Sequence, residues 1–90
     1  MNSIILTIGD ELLIGQVVNT NAAFIAGKLS DAGIDILRIV TVGDDRIEID
    51  RCLREAFAWA DVVIMTGGLG PTHDDVTKRA VADFFSLPLV

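Results

Sequence analysis

Three short, strongly apolar segments divide the chain at nearly regular intervals, and helical patterns fill the spaces between them. They lie at residues 4–8, 34–42 and 62–66 and are rich in β-branched side chains, which is typical of strands buried on both faces of a sheet. Strands and helices that alternate at this spacing form parallel sheets joined by right-handed crossovers. The sequence therefore predicts an α/β fold of the β-α-β-α-β-α type, in one domain that spans residues 1–90.

Capping residues and apolar stripes mark the three predicted helices. The first is predicted to begin among residues 19–21, which are all N-capping types, and to stop before Gly33. Asp45, with Glu48 three residues later, resembles a capping box at the start of the second helix. The third helix is predicted over about residues 75–85. The side chains predicted to face inward are Phe24, Ile25, Leu29 and Ala32, then Ile49, Cys52, Leu53 and Ala56, then Val76, Ala80, Val81 and Phe84.

The simplest doubly wound arrangement places the strands in the order 2-1-3. Ligands of such sheets bind beyond the carboxyl ends of the strands where the chain reverses direction, and this order brings together the loops at residues 9–21 and 67–75. The same topology places helix 1 alone on one face and leaves the far edge of strand 3 open. Because parallel sheets are normally covered on both faces, we expect an incomplete domain, or one completed by another chain in a homo-oligomer.

The loop after the third strand carries the most distinctive chemistry in the sequence. Thr66 is followed by Gly67, Gly68 and Gly70, and then by Thr72. A glycine loop that leads into a helix presents backbone N–H groups to anions. This loop is not a P-loop, because no Gly-Lys-Ser/Thr closes it, and it lacks the third glycine of a dinucleotide fingerprint. Taken alone, the glycines leave a tight structural turn and a ligand-binding loop equally open.

Two neighbouring carboxylates make the loop more specific. Asp74 and Asp75 repel an anion unless a cation lies between them, and one aspartate is enough to cap the helix. The strand order brings Asp10 to the same crevice. Carboxylates beside phosphate-binding amides suggest a hydrated Mg²⁺ that bridges protein and phosphate oxygens, with helix capping alone as the alternative. Asp44 is interpreted as a turn residue, and the lone His73 is not assigned to a metal cluster or a catalytic triad.

Asparagines at the start of the first helix add neutral polar groups to the crevice. Asn19, Thr20 and Asn21 exceed what one cap requires, so one or two of them are candidates to hydrogen-bond a ligand's ring edge or a ribose hydroxyl. Asn19 and Asn21 are therefore predicted to be ligand-binding residues, together with Thr66 and Thr72.

Composition excludes several classes of protein. The net charge of −6 argues against nucleic-acid binding, which needs a basic face. No apolar run approaches the length of a membrane span, and the N-terminus lacks the basic region and cleavage site of a secretory signal. The single cysteine, Cys52, is predicted to be a buried free thiol. These features predict a cytoplasmic protein without a nucleic-acid or membrane partner.

Three motifs together resemble the start of the competence/damage-inducible CinA family. They are GDELLIGQVVNTN at 9–21, VGDD at 42–45 and TGGLGPTHDDVT at 66–77, and the resemblance extends over the whole chain. The N-terminal domain of that family has the molybdopterin-binding fold that is shared with the MogA, MoaB, MoeA and gephyrin proteins.

The resemblance implies a three-layer α/β/α domain that binds a phosphorylated pterin or a nucleotide. CinA-like domains are associated with metal-dependent ADP-ribose pyrophosphatase activity. The family's glycine motif and following aspartate match Gly67, Gly68, Gly70 and Asp75, with Asp10 opposite. We therefore expect Asp10 and Asp75 to be catalytic, and a divalent metal to be held by both with Asp74 nearby.

The chain departs from the family pattern in its extent. It corresponds to the N-terminal part of the family's domain and does not include the deamidase domain that full-length CinA proteins carry. We therefore expect hydrolysis of ADP-ribose only in a complete protein. The alternative is a module without catalysis, which binds a molybdopterin-like ligand or serves in assembly.

Overall fold

Strands and helices alternate along the chain as the sequence predicts. The computed structural model describes residues 1–10, 19–67 and 74–86, with the backbone alone for residues 74–76. Within these ranges the elements are, in order, β1 (Asn2–Ile8), α1 (Thr20–Asp31), β2 (Asp35–Val42), α2 (Arg46–Trp59), β3 (Val62–Gly67) and α3 (Asp74–Phe84).

The described strands form one parallel sheet with β1 in the centre. Their order is β2-β1-β3, which confirms the predicted order 2-1-3 and the α/β class. Ile8 is in register with Val42 on one side and with Gly67 on the other, so all three strands end at the same edge. Because β1 has a neighbour on each side, its residues from Ser3 to Ile8 are all buried.

The larger part of the core lies on one face of the sheet. Leu6 and Ile8 of β1 point to this face and pack with α2 and α3. The inward stripe predicted for α2 is confirmed, since its four residues are all buried. Ala80 of α3 joins the same cluster, and Val81 and Phe84 pack against its margin. The side chain of Val76, also predicted to face inward, lies outside the described residues.

The opposite face carries α1, and its stripe is only partly as predicted. Ile25 and Leu29 are half-buried, whereas Phe24 is 67% exposed and Ala32 is also exposed, so the prediction that these last two face inward is wrong; Ala22 is buried instead. In the described parts of the chain, α1 has no second helix beside it on this face. A large side chain at the side of α1 therefore has no neighbouring helix to pack against. Phe24 instead lies beside Lys28, whose Nζ is 5.5 Å from the ring centroid.

The predicted helix boundaries also hold at the end of α1 and at the start of α2. α1 ends in a Schellman motif, in which Gly33 has a φ of +77° and its N–H donates to Ser30 O. At the start of α2, the Asp45 carboxylate accepts from the N–H of Ile47 at 2.9 Å and of Glu48 at 3.1 Å. The reciprocal half of the capping box is not formed, because the Asp45 N–H donates to a backbone carbonyl and the Glu48 carboxylate accepts from a side chain of its own helix.

None of the described helices is both long and apolar enough to cross a lipid bilayer.

Candidate functional site

The carboxyl ends of the three described strands meet at one edge, and two of the strands share a sequence pattern there. β1 ends in Ile8-Gly9-Asp10 and β2 in Val42-Gly43-Asp44, and these tripeptides are aligned by the parallel register. The N–H of Gly9 donates to Val42 O at 2.9 Å, which extends the ladder one residue beyond β1. The register therefore places one aspartate opposite the other, directly after the sheet.

Gly67, the last residue of β3, closes the other side of this edge. Its φ is +91°, and a Cβ added to it would lie 2.1 Å from the carbonyl oxygen of Ile8. Real Cβ atoms do not approach a heavy atom closer than about 3.0 Å, so only glycine fits here. Gly67, at the end of β3, thus lies directly against the end of β1. Three predicted ligand-binding residues of the loop beyond it, Gly68, Gly70 and Thr72, lie outside the described residues.

Asp10 is held by reciprocal hydrogen bonds to Asp44. The N–H of Asp44 donates to Asp10 Oδ1 at 3.0 Å, and the N–H of Asp10 lies 3.4 Å from Asp44 Oδ2. The sequence predicts Asp44 only as a turn residue, outside the site. The signal that would have found it is the repeated Gly-Asp ending of two strands that the topology makes neighbours.

The described residues of the site supply some, but not all, of the ligands that a hard cation requires. Asp10 is exposed and offers carboxylate oxygens, which Mg²⁺ and Ca²⁺ prefer. The backbone of Asp74 and Asp75 begins α3, but their side chains lie outside the described residues. Among the residues that the structure describes there is no group of three or more acidic, histidine or cysteine side chains placed to hold a metal. Mg²⁺ commonly uses one or two carboxylates and completes its shell with water and phosphate, so this arrangement remains compatible with it.

A cavity of about 360 Å³ opens beside Asp10 on the β2 side. It is lined by the end of β2, including Thr41 and Gly43, and by the first turns of α2. Cys52, at the margin of this cavity, is buried, and burial raises the pKa of its thiol. A raised thiol pKa favours the neutral form, so this cysteine is suited to packing and not to nucleophilic chemistry.

Asn19 bridges α1 and the sheet. Its Oδ1 accepts from the N–H of Ala22 at 3.2 Å and so caps α1, and its Nδ2 donates to Thr7 Oγ1 at 3.1 Å. Asn21 is exposed on the first turn of the same helix. Thr66 is half-buried and in register with Thr7, so the two threonines lie on the same face of the sheet. The predicted residues Asn19, Asn21 and Thr66 thus lie near the edge where the strands end.

Comparison with known proteins gives consistent results. The family described as "Probable molybdopterin binding domain" matches residues 4–90. A "CinA-like protein" of Salinibacter ruber is 57% identical over 89 residues, which are 99% of this chain and 22% of that protein. The chain thus spans about a fifth of the length of such relatives.

Two solved structures share the fold. The crystal structure of CinA from Thermoplasma acidophilum has a TM-score of 0.87 and 42% identity, over 94% of this chain and 50% of that one. The crystal structure of a molybdopterin biosynthesis protein from Mycobacterium abscessus has a TM-score of 0.81 and 26% identity, over 91% of this chain and 52% of that one.

Proposed function

Because this chain belongs to the molybdopterin-binding domain family and is CinA-like over nearly all of its length, we propose that it binds the phosphates of a nucleotide or pterin as part of a CinA-type protein. In the complete protein, the reaction proposed for this site is metal-dependent hydrolysis of the diphosphate of ADP-ribose. The substrate would be a phosphorylated small molecule.

One observation carries the proposal more than any other, namely the way β3 ends. Gly67 brings the end of β3 against the Ile8 carbonyl, at the edge where Asp10 lies. In the sequence, the glycines that follow Gly67 lead into α3, and glycine loops that precede a helix N-terminus are typical anion sites. Since the matched family and both solved structures share the fold, the same edge is the default place for a ligand.

Each residue of the site has a distinct proposed task. The backbone N–H groups of residues 67–72 would bind the diphosphate, and Asn19, Asn21 and Thr66 would hydrogen-bond the rest of the ligand. Asp10 and Asp75, with Asp74 nearby, would hold the metal. A bound divalent metal supplies charge neutralisation at phosphorus and a more acidic water. The reciprocal bonds to Asp44 keep the Asp10 carboxylate in place beside the sheet.

The test uses a complete-length protein that contains this sequence. AMP release from ADP-ribose is measured with Mg²⁺ and with EDTA, in the wild type and in Asp10→Asn and Asp75→Asn. We expect activity only with metal, and a loss of at least a hundredfold in each variant. The matched control is Asp31→Asn, which removes the same charge from an exposed site at the far end of α1, about 18 Å along the helix. Full activity in Asp75→Asn would refute the catalytic assignment.

A binding module without catalysis is the second candidate. It is favoured by the description of the matched family, "Probable molybdopterin binding domain", which names ligand binding. Calorimetric titration with ADP-ribose and with a pterin phosphate distinguishes the two candidates. Binding without release of AMP, in the presence of Mg²⁺, supports the module.

A further inference from the structure

The hydrogen bonds around the Thr7 hydroxyl determine which of its neighbours donate a proton to it and which accept one from it. Thr7 is fully buried, and its Oγ1 lies 3.3 Å from Val40 O, 2.9 Å from Thr41 Oγ1 and 3.1 Å from Asn19 Nδ2. A hydroxyl has one proton to donate and two lone pairs. The Val40 carbonyl can only accept, so Thr7 donates to it. Thr41 must then donate to Thr7, and the amide of Asn19 supplies the second donated bond. The hydroxyl of Thr7 is thereby fully used.

This assignment fixes the orientation of the Asn19 amide. If the amide were flipped, its oxygen would face Thr7, whose only proton already goes to Val40. Its NH₂ would then face the N–H of Ala22, which is also a donor. Both contacts would be lost at once, so the two ends of the amide cannot exchange. Asn19 is therefore held as a donor toward the sheet and an acceptor toward α1.

One N–H of Asn19 remains after these bonds are formed. The Nδ2 group has two protons, and within the described residues only Thr7 accepts from it. Asn19 is half-buried, and its partner Thr7 is the next-to-last residue of β1, so the amide lies near the carboxyl edge of the sheet. We propose that Thr7 is a positioning residue, which locks the Asn19 amide so that its second N–H is offered to an acceptor atom on the ligand. This inference rests on the proposed function for its ligand but not for its geometry.

The consequence is a rule of recognition. The group read by Asn19 must be an acceptor, such as a phosphate oxygen, a carbonyl or an unprotonated ring nitrogen, and a ligand that presents an N–H or a hydroxyl proton there is disfavoured. An unlocked asparagine would accept either kind of group by flipping.

The first measurement is ligand affinity. Titrations with ADP-ribose and Mg²⁺, made at low temperature before AMP accumulates, compare the wild type with Thr7→Val and Thr7→Ser. Valine keeps the shape of threonine and removes the hydroxyl, so we expect affinity about tenfold weaker. Serine keeps the hydroxyl, so we expect affinity within about twofold of the wild type. The control is Ser3→Ala, which removes another fully buried hydroxyl, bonded to Asp35 O, at the opposite end of β1. Wild-type affinity in Thr7→Val would overturn the proposal.

The second measurement needs no ligand. In NMR spectra, one of the two Nδ2 protons of Asn19 should exchange slowly with solvent in the wild type and in Thr7→Ser, and rapidly in Thr7→Val. If the wild type does not bind ADP-ribose, the proposed function fails, and this exchange pattern alone decides the positioning role. Unchanged exchange in Thr7→Val would refute the positioning role.

If Thr7→Val does not fold, Asn19→Ser replaces it. Serine caps α1 equally well but has no N–H to donate. We expect helical content to be retained while ADP-ribose affinity falls about tenfold, and retained affinity would overturn the proposal.

Discussion

Alanine substitutions at Gly67 and at Gly33, when compared, separate two contributions to the loss of stability. One comes from the positive φ, and the other comes from the steric clash of the added Cβ. Gly33 has a φ of +77° with no atom within 4 Å of an added Cβ, whereas Gly67 has a φ of +91° and the Ile8 carbonyl oxygen at 2.1 Å. Gly33→Ala therefore experiences only the backbone penalty, about 1–2 kcal/mol. Gly67→Ala experiences that penalty and also has to move the end of β3 by about 1 Å to relieve the contact.

The expected magnitude follows from these two terms. Overpacking against a rigid neighbour costs about 1–3 kcal/mol, so with the backbone penalty we expect Gly67→Ala to lower the free energy of unfolding by about 2–5 kcal/mol. A chain of 90 residues has a total of roughly 5–13 kcal/mol. The single methyl group would therefore remove a large share of the stability of the fold, although it lies in no hydrophobic core.

Equilibrium urea unfolding followed by far-UV circular dichroism measures the effect. Gly27→Ala, inside α1 with open space around it, calibrates the assay because it should stabilise by about 0.5–1 kcal/mol. Asparagine tolerates positive φ, so Gly33→Asn should recover most of the loss, whereas Gly67→Asn should not, because its Cβ meets the same oxygen. Equal destabilisation of Gly67→Ala and Gly33→Ala would refute the close approach of β3 to β1.

Two further predictions concern α2. Asp45→Ala removes the acceptor of two backbone N–H groups, so it should lower the free energy of unfolding in urea by about 1 kcal/mol. The control Asp31→Ala loses no such bond and should change it by less than about 0.5 kcal/mol. Equal effects of the two substitutions would contradict the capping role. Burial raises the pKa of the Cys52 thiol, and only the thiolate reacts with iodoacetamide. At pH 8, iodoacetamide should therefore modify Cys52 far more slowly in the native protein than in the urea-unfolded chain. Equal rates would show that the thiol is accessible in the native protein.

Local patterns were enough to predict most of the fold. The β-branched runs identified all three strands, and the rule for doubly wound sheets identified their order. Gly33 was predicted as a helix stop because only glycine adopts the required conformation easily, and the Schellman motif confirms it. Phe24 was predicted wrongly because periodicity shows which residues share a helix face but not how much of that face the rest of the protein covers.

The site was harder to predict because its contacts join distant parts of the chain. Asp10 and Asp44, like Thr7 and Thr41, are 34 residues apart, and only the register of β1 with β2 brings each pair together. A threonine inside an apolar run gave no signal of its own. Gly67 was predicted as part of the anion loop, and its backbone geometry gives it an additional structural role. The tasks of Asp74 and Asp75 stay predictions.

The central position of β1 also affects how the protein is made. Of the three described strands, β1 is synthesised before its partners β2 and β3, which lie about 34 and 59 residues later. At about 5–20 residues per second, a ribosome takes about 3–12 s to add the second of these distances. During that time the uncharged segment IILTI of β1 has two unpaired edges, and segments of this kind associate readily with one another. Of the described strands, the central one is therefore exposed on the ribosome for the longest time, and the yield of folded protein should depend on chaperones that bind nascent apolar strands.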